Sequence, residues 1–292
     1  MTSKQKGILL FPLNVLYTLN KELALKVLFR LKNGYSLNLK KPTTYNEKLQ
    51  WVKMNYKHPL LTKLVDKYTV REYVSAKCPE ILTKLIWNGF DAKDIPWDEL
   101  PDKFVAKATH GSGFNIICTD KGKLDTNLCE KKLNSWLKEK FLKCYGEWFY
   151  GVEKPRIIIE EYIDDGTGQA PTDYKIFCFD GKPEYIIVDT DRFVGHKRNV
   201  YDLSWNFREN HTLNFPNDVP MEKPENLAEL LHYAEILSEG FPHVRVDLYS
   251  VHGKIYFGEM TFTNGAGFDK IKPHEFDIEM GSRFKVGHED SN

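Results

Sequence analysis

The sequence carries no net charge, because 41 Lys and Arg balance 41 Asp and Glu over 292 residues. That excludes the broad positive field on which bulk nucleic-acid binding depends, so no nucleic-acid partner is expected. CxxC pairs are absent, and the five cysteines (Cys78, Cys118, Cys129, Cys144 and Cys178) are odd in number. Neither a disulfide framework nor a zinc-ligand spacing follows, and a cytoplasmic protein with buried thiols is the economical expectation. GxxxxGK[ST], GxGxxG, internal repeats and low-complexity tracts are missing as well. The apolar stretch GILLFPLNVLYTL, Gly7 to Leu19, is too short to span a membrane and is interrupted by Pro12 and Asn14. It also lacks the small-residue cleavage site of a signal peptide. Lys4, Lys6, Lys21, Lys26 and Arg30 surround it, which is compatible with peripheral contact at the inner face of a membrane. A docking segment packed on the main body is the expectation.

What is present divides into two textures. The first hundred residues read mainly helical. Asn20 can cap KELALKVLFRLKNG, with Gly34 as its stop, and TYNEKLQWVK carries the capping-box spacing from Thr44 to Glu47. Pro59 to Val74 follows as a helix or helix pair, and FDAKDIPWDELPD reads as a proline-punctuated linker. Beyond it, KFVAKAT, NIICTD, RIIIEEYI, DYKIFCFDG, EYIIVDT, HVRVDLYS and KIYFGEMTF are strand-like. Helical stretches interrupt them near Glu130–Cys144 and Pro224–Glu239. This is an α+β order, not a regular βαβ alternation. The expected domains are 1–100, mainly helical, then 101–165 and 166–292.

Three constellations carry chemistry. In FVAKATHGSGFNI, a strand lysine (Lys107) precedes His110, Gly111, Ser112 and Gly113. Two glycines two residues apart let main-chain N–H groups approach an anion, although a hairpin loop with a solvated lysine would look the same. In HVRVDLYSVHGKIYFGEMTF, alternation around VHG predicts a hairpin with a three-residue loop. That register sets Arg245 opposite Glu259 and Asp247 opposite Phe257, all on one face together with Thr261. Asp247 and Glu259 become diagonal neighbours able to hold a hard divalent cation, and a turn shifted by one residue would separate them. Third, Lys175, Arg192, His196, Lys197 and Arg198 crowd the segment from Asp173 onward, as an exposed charge run or as a site for phosphate or carboxylate.

These parts, in this order, resemble the ATP-grasp superfamily and specifically its TupA-like branch, which is associated with bacterial surface-polysaccharide genes. The resemblance runs from KPTTYNEKLQW to DIEMG. It implies a helical N-terminal part followed by two lobes, a smaller one with the glycine-rich loop and a larger one with the metal-binding hairpin, whose antiparallel sheets clamp ATP. VDKYTVREYV would place Arg71 on phosphate, and Lys107 with His110–Gly113 would grip and cover it. Glu160, Glu161, Tyr162 and Ile163 would form the adenine hinge, and Asp173 would reach the ribose. Asp247 and Glu259 would hold Mg²⁺, with Thr261 in place of the family's asparagine, or Asn264, as the third oxygen. Arg245 would steady an acyl-phosphate, and Lys175 would add positive charge beside Lys107 and Arg71. Arg198 would be a further catalytic cation of the basic cluster, and His110 or His196 would accept the amine proton. The implied reaction joins a carboxylate, on a hexuronic acid of a glycan, to an amino acid or small amine. A glycosyltransferase, suggested by DTDRF at Asp189–Phe193, and a nucleotide-binding module without catalysis are the alternatives.

Overall fold

The computed structural model describes residues 3–166, 171–190 and 195–287. Helices come first: α1 (Ser3–Leu9), α2 (Phe11–Leu19), α3 (Lys21–Asn33) and α4 (Tyr45–Asn55). The start of α3 is fixed by the Asn20 side chain, which accepts from Leu23 N, and its end by Gly34 in the left-handed region at φ +84°. Thr44 and Glu47 form the reciprocal capping box that opens α4. Short helices α5 (Leu61–Leu64) and α6 (Val70–Lys77) complete this part.

Two antiparallel sheets follow. The smaller, ordered β1-β4-β2-β3, is made of β1 (Leu85–Gly89), β2 (Phe104–Ala108), β3 (Asn115–Cys118) and β4 (Ile157–Glu161). It therefore draws one strand from the stretch read as helical. Helix α7 (Thr126–Trp136) covers its back and stops earlier than the sequence suggested. The larger sheet, ordered β10-β9-β5-β6-β7, is made of β5 (Asp173–Phe179), β6 (Lys182–Thr190), β7 (Lys197–Tyr201), β9 (His243–Val251) and β10 (Lys254–Thr261). A two-stranded ribbon pairs β8 (Thr212–Leu213) with β11 (Ile271–Lys272), and among the described residues α8 (Leu227–Ser238) and α9 (His274–Arg283) complete the α-helices. All five cysteines are free and buried.

The strand period of two decides where the site lies. In the larger sheet Tyr174, Ile176, Cys178, Ile186, Val188, Val244, Val246 and Leu248 share one face and form a core with α5, α6 and α8. On the opposite face the same strands change character along their length. Phe177, Phe179, Tyr185, Ile187 and Val200 pack on α4 and α9. Past that apolar half, the face continues with Asp173, Lys175, Asp189, Arg198, Arg245 and Asp247. Such a charge-dense half-face has no place in an apolar core, and it forms the floor of a cleft roofed by the smaller sheet.

Candidate functional site

The cleft between the two sheets has a volume of about 780 Å³, enough for a nucleotide-sized ligand. From the smaller sheet come Val105 and Lys107 on β2, Ile117 on β3, Ser112 and Gly113 of the loop, Glu161 at the end of β4, and Tyr162 and Ile163 just after it. From the larger sheet come Asp173, Lys175, Asp189, His196, Arg198, Arg245, Asp247, Tyr249 and Glu259.

The β9–β10 hairpin differs from the expected one in an instructive way. Its turn has two residues, His252 and Gly253, both at positive φ (50° and 76°), so that Val251 pairs with Lys254. That is the one-residue shift that would separate the two acids. A bulge at Gly258 undoes it. Leu248 still faces Phe257, but Asp247 now pairs directly with Glu259 and Arg245 with Thr261. Phe257 accordingly leaves the charged face and joins the helix-side core. A Cβ on Gly258 would stand 2.9 Å from Asp247 O, so the bulge needs glycine there.

Around this pair the charges interlock. Arg245 donates from Nε to Asp247 Oδ1 and from Nη2 to Oδ2, both at 2.6 Å, and from Nη2 to Glu259 Oε1 at 2.9 Å. Its Nη1 donates to Asn264, whose amide in turn donates to the buried Asp269. Lys175 donates to Asp173 and, at 3.2 Å, to Asp247 Oδ2. Asp189 accepts from Arg198 Nε at 2.5 Å, and His196 Nε2 stands 3.1 Å from it, stacked on Phe215. Burial pushes the Asp247 carboxyl up from its ordinary range, against the pull of Arg245 and Lys175. Burial acts the same way on Glu259, but Lys67, Arg245 and Lys175 outweigh it and hold that group down at about 2. Glu259 also keeps 36% of its side chain exposed whereas Asp247 keeps 3%, so water helps Glu259 stay ionised.

Of the residues to which the resemblance gives a role, thirteen line the cleft; Arg71, His110, Gly111, Glu160, Thr261 and Asn264 do not. Glu160 lies on the cleft side of β4, beneath a layer of cations. It accepts from Lys107 Nζ and Arg71 Nη1, each at 2.7 Å, and from Thr83 at 2.8 Å. Arg71 thus supports the cleft from behind. The cation that reaches it from the helical part is Lys67, which donates to Gly111 O at 2.8 Å and stands 3.5 Å from Glu259 Oε2. Its sequence signal is the Asp66-Lys67 pair within VDKYTVREYV, four residues before Arg71. Gly111 and Gly113 both have φ near +77° (+78° and +76°), as the loop geometry demands. His110 packs beneath the loop against Phe114 and Phe141, with its pKa lowered by burial. Thr261 donates to Glu259 Oε1 at 3.3 Å. Tyr249 follows Arg245 and Asp247 at strand spacing, a signal that the alternation carries without marking it as functional. Lys197 pairs with Asp218, and Arg192 lies outside the described residues. Of DTDRF, Asp189 is consumed by Arg198 and Lys175, while 191–193 are outside the described residues.

Among the described residues no cluster of three or more His, Cys, Asp or Glu side chains is set to enclose a metal ion. The donor chemistry nevertheless suits Mg²⁺ that arrives with phosphate, since Mg²⁺ is commonly held by one or two carboxylates plus substrate oxygens. Asp247 and Glu259 supply two carboxylates from directly opposed positions. Asn264 Oδ1, which accepts from Arg245, and Thr261 Oγ1, 3.3 Å from Glu259 Oε1, are further oxygens in the network.

The buried Glu160 network gives a pH prediction. Burial alone would raise the Glu160 carboxyl, but Lys107, Thr83 and Arg71 outweigh it and lower it below its ordinary 4.5. A carboxylate depressed in the folded state contributes stability that is present above the unfolded value and is lost as pH falls through the folded one. Glu160→Gln is expected to cost about 1–3 kcal/mol near pH 7. In thermal melts its deficit against the native chain should shrink as pH falls below 4.5.

Several solved structures resemble this chain. An N5-carboxyaminoimidazole ribonucleotide synthetase with ADP is 13% identical, over 74% of this chain and 50% of that one, with a TM-score of 0.47. A D-alanine–D-alanine ligase from Bacillus anthracis with ATP is 17% identical, over 70% and 55%, at 0.42. An L-amino acid ligase from Bacillus licheniformis is 14% identical, over 86% and 57%, at 0.48. This chain thus spans about half of each, and identities this low carry no information on its substrates. No curated protein matches. A family model does match, over residues 47–285, which is most of the chain: the protein belongs to the TupA-like ATPgrasp family.

Proposed function

We propose that the chain is an ATP-dependent carboxylate–amine ligase that forms an amide through an acyl-phosphate, with the carboxylate on a hexuronic acid of a surface glycan. Membership of the TupA-like ATPgrasp family supports the reaction class, an ATP-grasp ligase forming a C–N bond. The carboxylate's identity rests on the polysaccharide association of the TupA-like branch. One observation carries the reading. Cations of the smaller sheet and helical part (Lys107, Lys67) face two opposed acids and Arg245 of the larger sheet across one cleft.

A carboxylate does not react with an amine at neutral pH, because oxide would have to leave. In the proposed first step the substrate carboxylate oxygen attacks the γ-phosphorus and the bond to the β-phosphate oxygen breaks, giving acyl-phosphate and ADP. The amine then attacks the acyl carbon, and the tetrahedral adduct loses phosphate to leave the amide. Such chemistry depends on positioning and charge neutralisation more than on a protein nucleophile. Ser112 and Gly113 would cover the phosphates, while Glu161, Tyr162 and Ile163 would line the adenine end. Lys107 and Lys67 would neutralise phosphate oxygens. Asp247 and Glu259 would hold Mg²⁺, which supplies charge compensation to the triphosphate when bound. Arg245, fixed by four hydrogen bonds to three residues, would bind the anionic oxygens of the acyl-phosphate. Arg198 and His196, at the β7 edge, would orient the incoming carboxylate.

Incubation with ATP, Mg²⁺, a uronic-acid glycoside and mixed amines tests the proposal. ADP together with an amide found by mass spectrometry supports it. In a parallel incubation with a UDP-sugar and the glycoside, free UDP would instead indicate a transferase, and ATP binding without turnover would indicate a non-catalytic module.

The two helical-part cations separate in their expected effects. Lys67→Met should raise the KM for ATP about tenfold, because it removes one charge-assisted hydrogen bond to phosphate, with little change in melting temperature. Arg71→Met should do the reverse. It leaves Glu160 with one cation fewer and costs about 2 kcal/mol of stability, with a smaller change in KM. Parallel melts and ATP titrations distinguish them.

A further inference from the structure

The N-terminal helices show a surface that the proposed ligase chemistry does not use. Eight of the sixteen large apolar side chains exposed among the described residues fall within the first 31. Phe11, Val15 and Leu19 recur at every fourth position on α2, and Leu23, Val27 and Leu31 do so on α3 beyond the extended Asn20, with Phe11 64%, Leu19 80% and Leu31 71% exposed. Helix α2 has no buried residue. The segment is docked, as expected, but on one side only. Leu13 and Tyr17 pack against a buried cluster that includes Leu25, Phe29, Cys144 and Phe268, while the exposed apolar residues stay outside it.

Charge accompanies the stripe. Residues 1–46 hold eight Lys and Arg and a single acid, Glu22, whereas residues 47–292 hold 33 basic and 40 acidic residues. The excess of positive charge is therefore confined to this segment, and Glu22 is itself neutralised by Lys26 at 2.6 Å. Lys6, Lys21, Lys26, Arg30, Lys32 and Lys40 are all exposed. The family match starts at residue 47 and leaves the segment outside.

We infer that α2 and α3 dock the protein on an anionic lipid surface, the apolar stripe entering the headgroup boundary and the lysines meeting lipid phosphates. An amphipathic helix with a basic polar side binds such a surface in its plane, by buried apolar area plus attraction to anionic lipid. Spanning is excluded for these two helices, since nine and thirteen residues fall short of the roughly twenty a bilayer needs. Among the described residues no helix is long and apolar enough to cross a membrane. A second copy is disfavoured as the occupant, because two surfaces of like charge repel. The inference is independent of the ligase reading.

Co-sedimentation of the full chain with vesicles tests it. The chain should pellet with phosphatidylcholine–phosphatidylglycerol vesicles, not with phosphatidylcholine alone, and should be released as salt rises from about 0.1 M to about 1 M. Phe11→Glu with Leu19→Glu should weaken binding about tenfold or more, and so should Lys21→Glu with Lys32→Glu. These positions are exposed, so far-UV melts should match the native chain. If the first pair melts lower, the lysine pair decides. Recovery in the supernatant with both vesicle types would overturn the inference. So would native-like pelleting of both double variants, or a dimer that Phe11→Glu with Leu19→Glu dissociates while vesicles capture neither form.

Discussion

Asp247→Asn is expected to lower ADP formation by on the order of 10³-fold, the scale of removing one preorganised electrostatic group, while the melting temperature moves by only a few degrees. Fold and chemistry separate here because the partners of Asp247 are shared. Arg245 keeps Glu259 and Asn264, and Lys175 keeps Asp173 and Asp189, so neither cation is stranded. Burial already opposes the charge of Asp247, which reduces what its removal costs the folded state. What asparagine cannot supply is a carboxylate beside Glu259, so the proposed hold on the metal–triphosphate is lost. Glu259→Gln should behave alike, with an even smaller effect on melting given its exposure. Single-turnover assays for ADP, run beside thermal melts, check both.

Gly258→Ala should be damaging out of proportion to one methyl group. The added Cβ would meet Asp247 O at 2.9 Å and Tyr249 Cε2 at 3.2 Å, and the first of these is backbone that cannot swing aside. Relief requires the bulge to open or the strand to slip, and either moves Glu259 off the position opposite Asp247. A loss of about 1–3 kcal/mol is expected from overpacking. Activity should fall by about 10²-fold, since misplacement of about 1 Å in a catalytic constellation costs that much. Gly253, at φ +76° with open space around it, is the control. Gly253→Asn keeps a residue tolerant of left-handed backbone and should leave activity near native. Melting curves and steady-state ADP release for the two variants give the contrast.

Sequence and structure agree most closely where the determinants are local. Asn20, Gly34, Thr44 and Glu47 fix helix ends within four residues of themselves, so those ends were readable. Alternation placed Arg245, Asp247 and Glu259 on one face, and that survives. The register did not, because a turn short by one residue and a bulge at Gly258 compensate each other, and only a glycine inside a strand hinted at the second. Glu160 shows the opposite limit. It is the hub for Arg71 and Lys107, 89 and 53 residues away in sequence, and no periodicity reports such a pairing. Strand β7 was hidden because Lys197 and Arg198 read as a solvated charge run. In the fold Arg198 faces the cleft, and Asn199 turns to the other side and binds Val219 O. Helix α9 carries little periodic signal: Phe276 and Met280 are four apart, but its remaining residues are mixed.

The most direct test of the ligand site is a crystal structure with Mg²⁺ and a non-hydrolysable ATP analogue. The triphosphate is expected between Lys107 and Lys67 on one side and Asp247 and Glu259 on the other, with the metal on those two carboxylates. A nucleotide bound elsewhere on the molecule, or a cleft that stays empty under saturating analogue, would contradict it.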